Sequence, residues 1–569
     1  MKMSNHEEHH QADFALHAPY NEHVALMGNW NDWEPIPMER GDDGWWRVSV
    51  PLPDGDYQYK FQVKSKSYFS EGEMVTIADP RSLVVSDDFE NTLITVKNGE
   101  RVITNYEWKH DDQPLPGNMD LVIYELHVQD FSGGPGDVRE GALGRFRHTI
   151  EKLDYLVELG INAIELMPVS EFPGEHGWGY NPRYLFAVEK SYGTPDDLCA
   201  LVDECHARGI RVILDGVYNH SEVATPLAQI DHNYWYHGQP MDAPDQQWGP
   251  KFNYEFHDDQ LGFWPARQFA LDAILHWVTH FHIDGIRFDA TAIIRNYDVL
   301  SWLNSAIYQH IGGAKPFITI AEHVPQDPSV TGIDGPLDAA WHEHFSKQIM
   351  ATMCGQPQEG RDPYNLDALI GVIDPLRDGF ASAQNVIKYI DNHDQERIMW
   401  QLGEAGFIDD AAFRRMKMGA AILLTVPGIP MLWMGQEFGE SAPRTESIER
   451  QPIDWALLQN ERNADLKRTY QGLIAMRKNT PALRADTFDV VHLDQERCIM
   501  AYKRWNDEGN VVVVVANLLD DFAGEAHIPN WPSDGKWHEY INNYDVEVGG
   551  GTLHDSLAES EVKVYIKVG

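Results

Sequence analysis

The sequence predicts an α/β protein, a (β/α)8 TIM barrel with a subdomain inserted after the third barrel strand and a β-sandwich on each side. Three observations lead to this prediction. Short β-forming segments separated by turns occupy residues 12–105 and 485–569. Between them, apolar strands alternate with amphipathic helices, and one polar, aromatic segment there is too long for an ordinary loop.

Residues 12–105 are predicted to form the N-terminal β-sandwich. Four segments rich in β-forming residues, ADFALHA, HVALMG, WWRVSV and YQYKFQV, are separated by turn sequences that include GDDG and PDGD. Their number and length are typical of a sandwich of immunoglobulin size. Residues 1–11 are polar and rich in histidine, and we expect them to form a mobile tail.

Residues 119–480 are predicted to form the barrel. The region opens with strand 121–128, helix 148–160, strand 161–169, helix 195–209 and strand 210–220. The alternation continues through DGIRFDA, PFITIAEH, NVIKYIDNHD and IPMLWMGQEFG. Apolar strands with helical crossovers indicate a parallel sheet buried on both faces, and there are enough units to close eight strands. We interpret residues 221–262 as the inserted subdomain.

The two ends of the barrel region are marked by changes in composition. A charged segment with two prolines, residues 108–118, is typical of an interdomain linker. After the barrel, the strand segments CIMAYKRW, NVVVVVANLL and EVKVYIKV predict a C-terminal β-sandwich over residues 485–569. This last region carries no catalytic pattern that we identify.

The acidic composition narrows the choice of partner. The chain of 569 residues has 45 Lys and Arg against 88 Asp and Glu, a net charge of −43. Such a surface repels phosphate, so nucleic acid is disfavoured, whereas a neutral glucan meets no such penalty. A signal-peptide core and apolar runs of about 18 residues are absent from the sequence, so we expect a cytoplasmic protein without a membrane partner. These residues do not indicate the oligomeric state.

Acidic side chains follow three of the predicted barrel strands. Asp289 follows the fourth strand, Glu322 the fifth and Asp394 a later one. The C-terminal ends of the strands of a parallel barrel meet at one mouth, so we expect the three carboxyl groups to converge there. Three carboxyl groups without a metal-ligand pattern fit glycoside hydrolysis, in which an ionised acid attacks and a protonated acid donates to the leaving oxygen.

The local sequence suggests a different role for each acid. Arg287 lies two residues before Asp289 on the same strand face, so we expect it to keep that carboxylate ionised and positioned for attack. Glu322 follows the apolar run FITIA, and partial burial there raises a carboxyl pKa and favours the protonated form. Asp394 is expected to stabilise positive charge on the sugar ring. If the first two form a retaining pair, their carboxyl groups should stand about 5–5.5 Å apart.

Four segments, DGVYNH, GIRFDA, ITIAEH and YIDNHD, resemble the four ordered motifs of the α-amylase superfamily, glycoside hydrolase family 13. The resemblance covers about residues 120–440. The N-terminal sandwich is similar to the glycogen-binding-like module that precedes the barrel in branching enzymes, isoamylases and trehalohydrolases. The resemblance implies that Asp289 is the nucleophile, Glu322 the acid/base and Asp394 the transition-state stabiliser of an enzyme that acts on α-glucans.

The same resemblance implies a set of substrate-binding residues. Tyr180 in GWGYNP is similar to the tyrosine that stacks on the sugar at the cleavage point, and we interpret its neighbour Trp178 as part of the substrate wall. The full set is Tyr180, Trp178, His220, Arg287, His323, His393 and Asp215. Asn219 matches a support position that also ligates calcium in many members. The chemistry needs no organic cofactor, and calcium at Asn219 stays open.

Two further patterns are interpreted less specifically. His342 and His344 in WHEHF form an HxH pair, which we expect to line the sugar cleft because a third metal ligand does not stand out in the sequence. The aromatic run HNYWYHG, with Tyr234, Trp235 and Tyr236, fits either the binding of distant sugars or the core of the inserted subdomain.

The choice among family members depends on loops. Hydrolases and transferases share one covalent intermediate and differ in whether water or a sugar hydroxyl resolves it. The segment MPVSEFPGEHGWGYNP resembles branching enzymes and trehalohydrolases, whereas IKYIDNHDQER and LLTVPGIPM are closer to amylases and maltodextrin hydrolases. We interpret the chain as a retaining hydrolase of the α-amylase type that releases malto-oligosaccharides from α-1,4-glucans, with side transglycosylation. The alternatives are a 1,4-α-glucan branching enzyme, then a maltooligosyltrehalose trehalohydrolase; a catalytically inactive glycan-binding protein is disfavoured because all three acids are present.

Overall fold

The N-terminal domain is a sandwich of two antiparallel sheets. The computed structural model describes residues 10–238, 248–332, 334–445 and 449–568. The sheet orders are β1-β5-β4 and β3-β2-β6-β8-β9, with β7 paired to β6. The strands are β1 His10–His17, β2 Val24–Gly28, β3 Ile36–Pro37, β4 Glu39–Arg40, β5 Trp45–Leu52, β6 Gly55–Lys64, β7 Met74–Ile77, β8 Thr92–Lys97 and β9 Glu100–Val102.

The sandwich begins two residues earlier than predicted. Residues 10 and 11, assigned to the mobile tail from the sequence, pair with Leu52 and Pro51 at the start of β1. The reason is register, since the alternating segment extends backwards to complete the edge of an eight-residue strand. The remainder of the predicted tail, residues 1–9, lies outside the described residues.

The middle domain is a closed barrel of eight parallel strands, which confirms the predicted fold. The order around the barrel is β10-β11-β14-β15-β16-β17-β18-β19, the order of the chain itself. These strands are β10 Ile123–Leu126, β11 Ala163–Leu166, β14 Arg211–Gly216, β15 Gly285–Phe288, β16 Ile318–Ala321, β17 Ala339–Trp341, β18 Val386–Lys388 and β19 Ile429–Trp433. A short antiparallel pair, β12 Ser170–Glu171 and β13 Tyr184–Val188, brackets a long loop after β11.

Helices surround the barrel, and their ends follow local capping chemistry. They are α1 Phe146–Leu159, α2 Pro195–His206, α3 Pro226–Trp235, α4 Pro265–His280, α5 Thr291–Ile294, α6 Tyr297–Ile311, α7 Glu343–Cys354, α8 Leu366–Ile373, α9 Ile398–Glu404, α10 Asp409–Thr425 and α11 Glu461–Asn479. Gly160 ends α1 with a φ of 102°, and Thr194 with Asp197 forms a capping box that begins α2. Helix α2 ends at His206, earlier than predicted, because a turn closed by Gly209 follows it.

The inserted subdomain packs against the N-terminal sandwich. The Lys66 N–H and the Asn21 Nδ2 both donate to the Ile230 carbonyl, at 2.9 and 3.0 Å. The Tyr20 hydroxyl donates to Asp258 at 2.8 Å. The aromatic run left open from the sequence belongs to the subdomain core, because Tyr234, Trp235 and Tyr236 are buried. Residues 239–247 of the predicted insertion lie outside the described residues.

The C-terminal domain is a second β-sandwich, joined to the barrel by buried arginines. Its sheets have the orders β20-β21-β22-β27-β24-β25 and β23-β26. The strands are β20 Asp489–Asp494, β21 Ile499–Trp505, β22 Val511–Asn517, β23 Gly524–Pro529, β24 Gly535–Glu539, β25 Tyr544–Val548, β26 Thr552–Leu557 and β27 Val562–Lys567. Buried Arg504 donates to the carbonyl of Thr425 at the end of α10, at 2.6 Å. Among the described residues, each helix is too short or too polar to cross a bilayer.

Candidate active site

The three predicted acids meet at the mouth of the barrel. Asp289 follows β15, Glu322 follows β16 and Asp394 lies in the loop after β18. All three line one cavity of about 460 Å³. A second cavity of about 330 Å³ shares Glu322, Asp394 and the Trp248 side chain with the first. The cleft therefore continues past the acids on two sides.

Asp289 is held by bonds to both of its carboxylate oxygens. Arg287 Nη1 donates to Oδ1 at 2.9 Å, and Asn219 Nδ2 donates to Oδ2 at 2.7 Å. The strand places the guanidinium there because residues two apart share one strand face. The side chain is fixed in orientation, as an attacking group must be.

Glu322 is a largely buried carboxyl group, 15% exposed, close to the same guanidinium. Its Oε2 accepts the Ala290 N–H at 2.8 Å and lies 3.0 Å from Arg287 Nη2. Burial, together with the negative charges of Asp289 and Asp394, raises the pKa of Glu322 to about 8, although Arg287 opposes the shift. At neutral pH this group therefore carries a proton that it can donate.

Asp394 occupies a more open position beside a charged histidine. Its side chain is 48% exposed, and His393 Nε2 lies 3.5 Å from its Oδ2. Burial by itself would raise the pKa of Asp394, but His393, Arg287 and Arg444 lower it below the usual range. This carboxylate stays charged where positive charge would develop on a sugar.

His393 is held in place by a glutamate that the sequence analysis did not predict. Glu125 Oε1, on β10, lies 2.6 Å from His393 Nδ1. Burial lowers the pKa of His393, but Asp394 and Glu125 together raise it to about 9. The available signal was an acid in the middle of the apolar strand segment LVIYELHV.

Aromatic and basic side chains form the walls of the cleft. The Tyr180 ring stacks on His393 with centroids 5.0 Å apart, and the Arg444 guanidinium lies 5.1 Å from the centre of the Trp178 ring. His220 lies 5.7 Å from the ring of Trp248. Trp248 and Arg444 carry no strand-end signal because they come from long loops, and sequence reasoning missed both.

Three domain families match the chain. The residues matched are 127–471 for "Alpha amylase, catalytic domain", 3–82 for "Carbohydrate-binding module 48 (Isoamylase N-terminal domain)" and 490–566 for "Alpha amylase, C-terminal all-beta domain". The catalytic match covers more than half of the chain. The chain belongs to the α-amylase family. It is therefore a glycoside hydrolase family 13 enzyme that acts on α-glucans, and the predicted family is confirmed.

Relatives of this α-amylase family member include a trehalohydrolase and branching enzymes. It is 30% identical over 470 residues to a malto-oligosyltrehalose trehalohydrolase of Saccharolobus solfataricus, covering 76% of this chain and 74% of the relative. It is 27% identical over 584 residues to a 1,4-alpha-glucan branching enzyme of Xanthomonas euvesicatoria pv. vesicatoria, covering 95% and 75%. A pullulanase of Anoxybacillus sp. LM18-11 has the same fold, with a TM-score of 0.81 and 21% identity over 99% of this chain and 86% of that one.

Three residues predicted to bind substrate are not among the described residues that line the two cavities. Arg287 is fully buried beneath Asp289 and Glu322. Asp215 accepts from Arg287 Nη1 at 2.6 Å and from the Tyr180 hydroxyl, so it supports those two residues; burial raises its pKa to about 6. His323 is also outside the described lining, and its Nδ1 lies 2.9 Å from Thr291 Oγ1.

The HxH pair also differs from its predicted place. His342 Nε2 lies 2.7 Å from Asp378 Oδ2, and His344 Nδ1 lies 3.1 Å from Asp378 Oδ1. Both histidines lie outside the described lining of the two cavities because the same carboxylate binds them. Asp378 is more than thirty residues away from the pair, so no local pattern predicts this contact.

Asn219 is already engaged within the site of this family 13 enzyme. Its amide nitrogen donates to Asp289, and its Oδ1 contacts His220 Nδ1. Burial lowers the pKa of His220, and its Nε2 lies 2.9 Å from the Tyr180 carbonyl. The Asn219 oxygen that calcium would need is therefore occupied by a ring contact. Calcium here stays a prediction that the donor arrangement does not favour.

Proposed function

We propose that the chain catalyses a retaining glycosyl transfer in which Asp289 is the nucleophile, Glu322 the acid/base and Asp394 the transition-state stabiliser. The observation that carries this proposal is the shared guanidinium of Arg287. It donates to Asp289 and lies 3.0 Å from Glu322, whose pKa burial raises to about 8. One group is thus held for attack and its neighbour keeps a proton, the division that a retaining pair requires.

In the first half-reaction an α-1,4 bond breaks. The Glu322 proton passes to the glycosidic oxygen, which leaves as a sugar hydroxyl. An Asp289 oxygen forms a bond to the anomeric carbon, giving a covalent glycosyl-enzyme. The positive charge that develops on the ring is stabilised by Asp394, which lies across the same cavity.

In the second half-reaction an acceptor hydroxyl resolves the glycosyl-enzyme. Glu322, now ionised, takes the proton of this hydroxyl while its oxygen attacks the anomeric carbon. The bond to Asp289 breaks and the carboxylate returns to its bonds with Arg287 and Asn219. Water as acceptor gives hydrolysis, and a sugar hydroxyl gives transfer.

For the acceptor we favour the 6-hydroxyl of another glucan chain, as in a branching enzyme. The branching-enzyme relative aligns over 95% of this chain, and the alignment therefore includes the two flanking domains. The second cavity extends beyond Glu322 with apolar and aromatic walls at Val324, Trp341 and Tyr389, which suits an acceptor sugar. This proposal reverses the order expected from the sequence, where hydrolysis of the α-amylase type came first.

A second candidate is the release of trehalose from maltooligosyl-trehalose. The observation that favours it is the 30% identity to the trehalohydrolase over 76% of this chain, a higher identity than that to the branching enzyme. The active-site acids would act in the same way, with water as acceptor. The substrate class in each case is an α-glucan, and the predicted cytoplasmic location stays a prediction.

The product profile distinguishes these functions. The purified full-length chain is incubated with amylose, and reducing ends and α-1,6 linkages are measured on the same samples, the linkages by proton NMR. Branching predicts new α-1,6 signals with an almost constant number of reducing ends. A parallel incubation with maltooligosyl-trehalose is assayed for free trehalose.

Each alternative outcome has a definite meaning. Rising reducing ends without α-1,6 signals would overturn branching in favour of the α-amylase type of hydrolysis. Trehalose release with an inert amylose would favour the second candidate. The Asp289→Asn variant serves as the control in every incubation, and activity retained by that variant would contradict the residue assignment itself.

A further inference from the structure

A cluster of two histidines and an aspartate lies beside the substrate wall, outside the three acids. His127 and Asp130 follow β10, and His176 lies in the loop between β12 and β13. One ligand atom from each residue can be chosen so that all three atoms lie within 4.8 Å of one another. Within the described part of the chain it is the one group of at least three such side chains that meets this criterion.

The hydrogen bonds of His127 leave its inner nitrogen facing a carboxylate. Nε2 lies 3.0 Å from both the Gly177 carbonyl and the Tyr192 hydroxyl. Nδ1 lies 2.9 Å from Asp130 Oδ2. Without an ion, a neutral ring satisfies these contacts when Nδ1–H donates to Asp130 and Nε2 accepts from Tyr192. The ring can also carry its proton on Nε2, where the Gly177 carbonyl accepts it, and Nδ1 then presents its lone pair to a cation shared with Asp130.

The pair is buried, and a third possible ligand lies beside it. His127 and Asp130 are 1% and 2% exposed. His176 Nε2 lies 3.5 Å from the other oxygen, Asp130 Oδ1, which also accepts the Gln451 N–H at 3.0 Å. A histidine that can donate one N–H to a carbonyl while its other nitrogen faces further ligands matches the usual arrangement at a metal.

The donor set selects a class of metal ion. Two imidazole nitrogens and one carboxylate oxygen suit Zn²⁺ and similar first-row ions, with a fourth position left to water. Calcium and magnesium prefer sites made of oxygen atoms. A group with two nitrogen donors is therefore a poor site for either of them.

We propose that His127, Asp130 and His176 bind one divalent ion of the Zn²⁺ type, and that the ion fixes the loop carrying Trp178 and Tyr180. Three chain segments meet at the cluster: the end of β10, the 172–183 loop and the segment that contains Gln451. Trp178 follows His176 by two residues, and its side chain lines the cleft. The ion would connect this wall to the barrel by coordination bonds, in addition to the hydrogen bonds of Asp130 with His127 and Gln451.

The test measures binding of Zn²⁺ to the full chain, without activity as a readout. Other histidines would contribute background, namely the exposed pair His527 and His554, whose Nδ1 atoms lie 2.6 Å apart, and the N-terminal histidines at 6, 9 and 10. All five are replaced by Gln in a background variant. After treatment with a chelator and its removal, this variant is titrated with Zn²⁺ by calorimetry and with a competing chromophoric chelator.

We expect one Zn²⁺ per chain in the background variant, and a loss of affinity of at least ~10-fold when His176→Gln is added. The matched control is His257→Gln, which removes an exposed histidine paired with Asp259 at 2.8 Å but without a third ligand; it should bind as the background does. X-ray absorption should show nitrogen and oxygen neighbours at about 2.0–2.2 Å.

The effect on the loop is measured separately. Zn²⁺ should slow cleavage of the 172–183 loop by a protease and raise the Tm of the background variant, and should do neither in the His176→Gln variant. Equal Zn²⁺ affinity in these two proteins, or absence of binding to the folded background variant at 100-fold excess over protein, would overturn the site. One bound ion without a change in protease protection or Tm would overturn the role in fixing the loop. None of these results bears on the proposed glycosyl transfer.

Discussion

Glu322 and Asp394 face the same cavity, yet their surroundings shift their pKa values in opposite directions. Burial, together with the negative charges of Asp289 and Asp394, raises the pKa of Glu322 to about 8. Asp394 is nearly half exposed and lies near three cations, His393, Arg287 and Arg444, which lower its pKa. The difference shows that side-chain type does not decide the role. Burial and the signs of the neighbouring charges do, and the predictions below test this comparison.

The largest expected effect is that of Glu322→Gln, which removes the proton donor. We expect kcat on amylose to fall by up to about 10⁴-fold, at the upper end of the range of about 10²–10⁴-fold that general acid catalysis contributes. With an α-glucosyl fluoride, whose leaving group needs little protonation, the first half-reaction should recover. A fluoride substrate that shows the same loss as amylose would contradict the role of acid.

Asp394→Asn should lower kcat on amylose less than Glu322→Gln does. A substrate with a good leaving group should not restore the rate. A single electrostatic contact to a developing charge contributes about 10²–10³-fold in kcat. The fluoride substrate needs the same ring stabilisation as amylose, so the loss should be similar for both. Steady-state kinetics on the two substrates measure this, and preferential recovery on the fluoride would remove the distinction between Asp394 and Glu322.

The pH dependence should reflect the coupling between the two groups. Glu322 must be protonated to act, so kcat/KM should fall as the pH rises through about 8. The negative charge of Asp394 helps to raise this pKa, so the residual activity of Asp394→Asn should fall at a lower pH than that of the parent. A pH–rate profile of both proteins measures the shift. An alkaline limb that moves to higher pH would contradict the direction.

The smallest effect is expected for His323→Gln. The sequence predicted a substrate contact for this residue, but the structure bonds its ring to Thr291 and places it outside the described cavity lining. A substitution of this kind usually changes a free energy by less than about 0.5 kcal/mol, or roughly twofold in kcat/KM. His393→Gln, which removes a ring that lines the cavity, is the matched comparison and should lose far more. A large loss in His323→Gln would show that the loop closes over substrate.

The barrel and its three acids could be predicted because their signals are local. Strand periodicity identifies each barrel strand, and the residues that follow the C-terminal ends of the strands lie at the mouth of the barrel. His323 was assigned to the cleft because it follows Glu322. The structure instead places the His323 ring 2.9 Å from Thr291 Oγ1, a contact between two barrel loops that no local pattern contains.

The remaining site residues depend on tertiary contacts that no local pattern contains. Trp248 and Arg444 reach the cleft from loops, and the pairing of Glu125 with His393 joins residues 268 positions apart. The helix boundary at His206 was placed too late because a terminal glycine marks the turn after a helix as well as its end. Side-chain pairing across the barrel decides these points, and it follows only from the closed fold.

The contact between the N-terminal sandwich and the inserted subdomain has a consequence for any shortened form of the enzyme. Main-chain and side-chain groups of residues 20, 21 and 66 bind Asp258 and Ile230, on the same insertion that brings Trp248 to the cleft. A fragment that begins after residue 118 would lack the N-terminal sandwich. Its inserted subdomain would then expose these contacts to water, and the part of the cleft that carries Trp248 would lose the domain packed against it. The smallest active piece of this chain should therefore include the module at its front, even when the assayed substrate is a short, freely diffusing oligosaccharide.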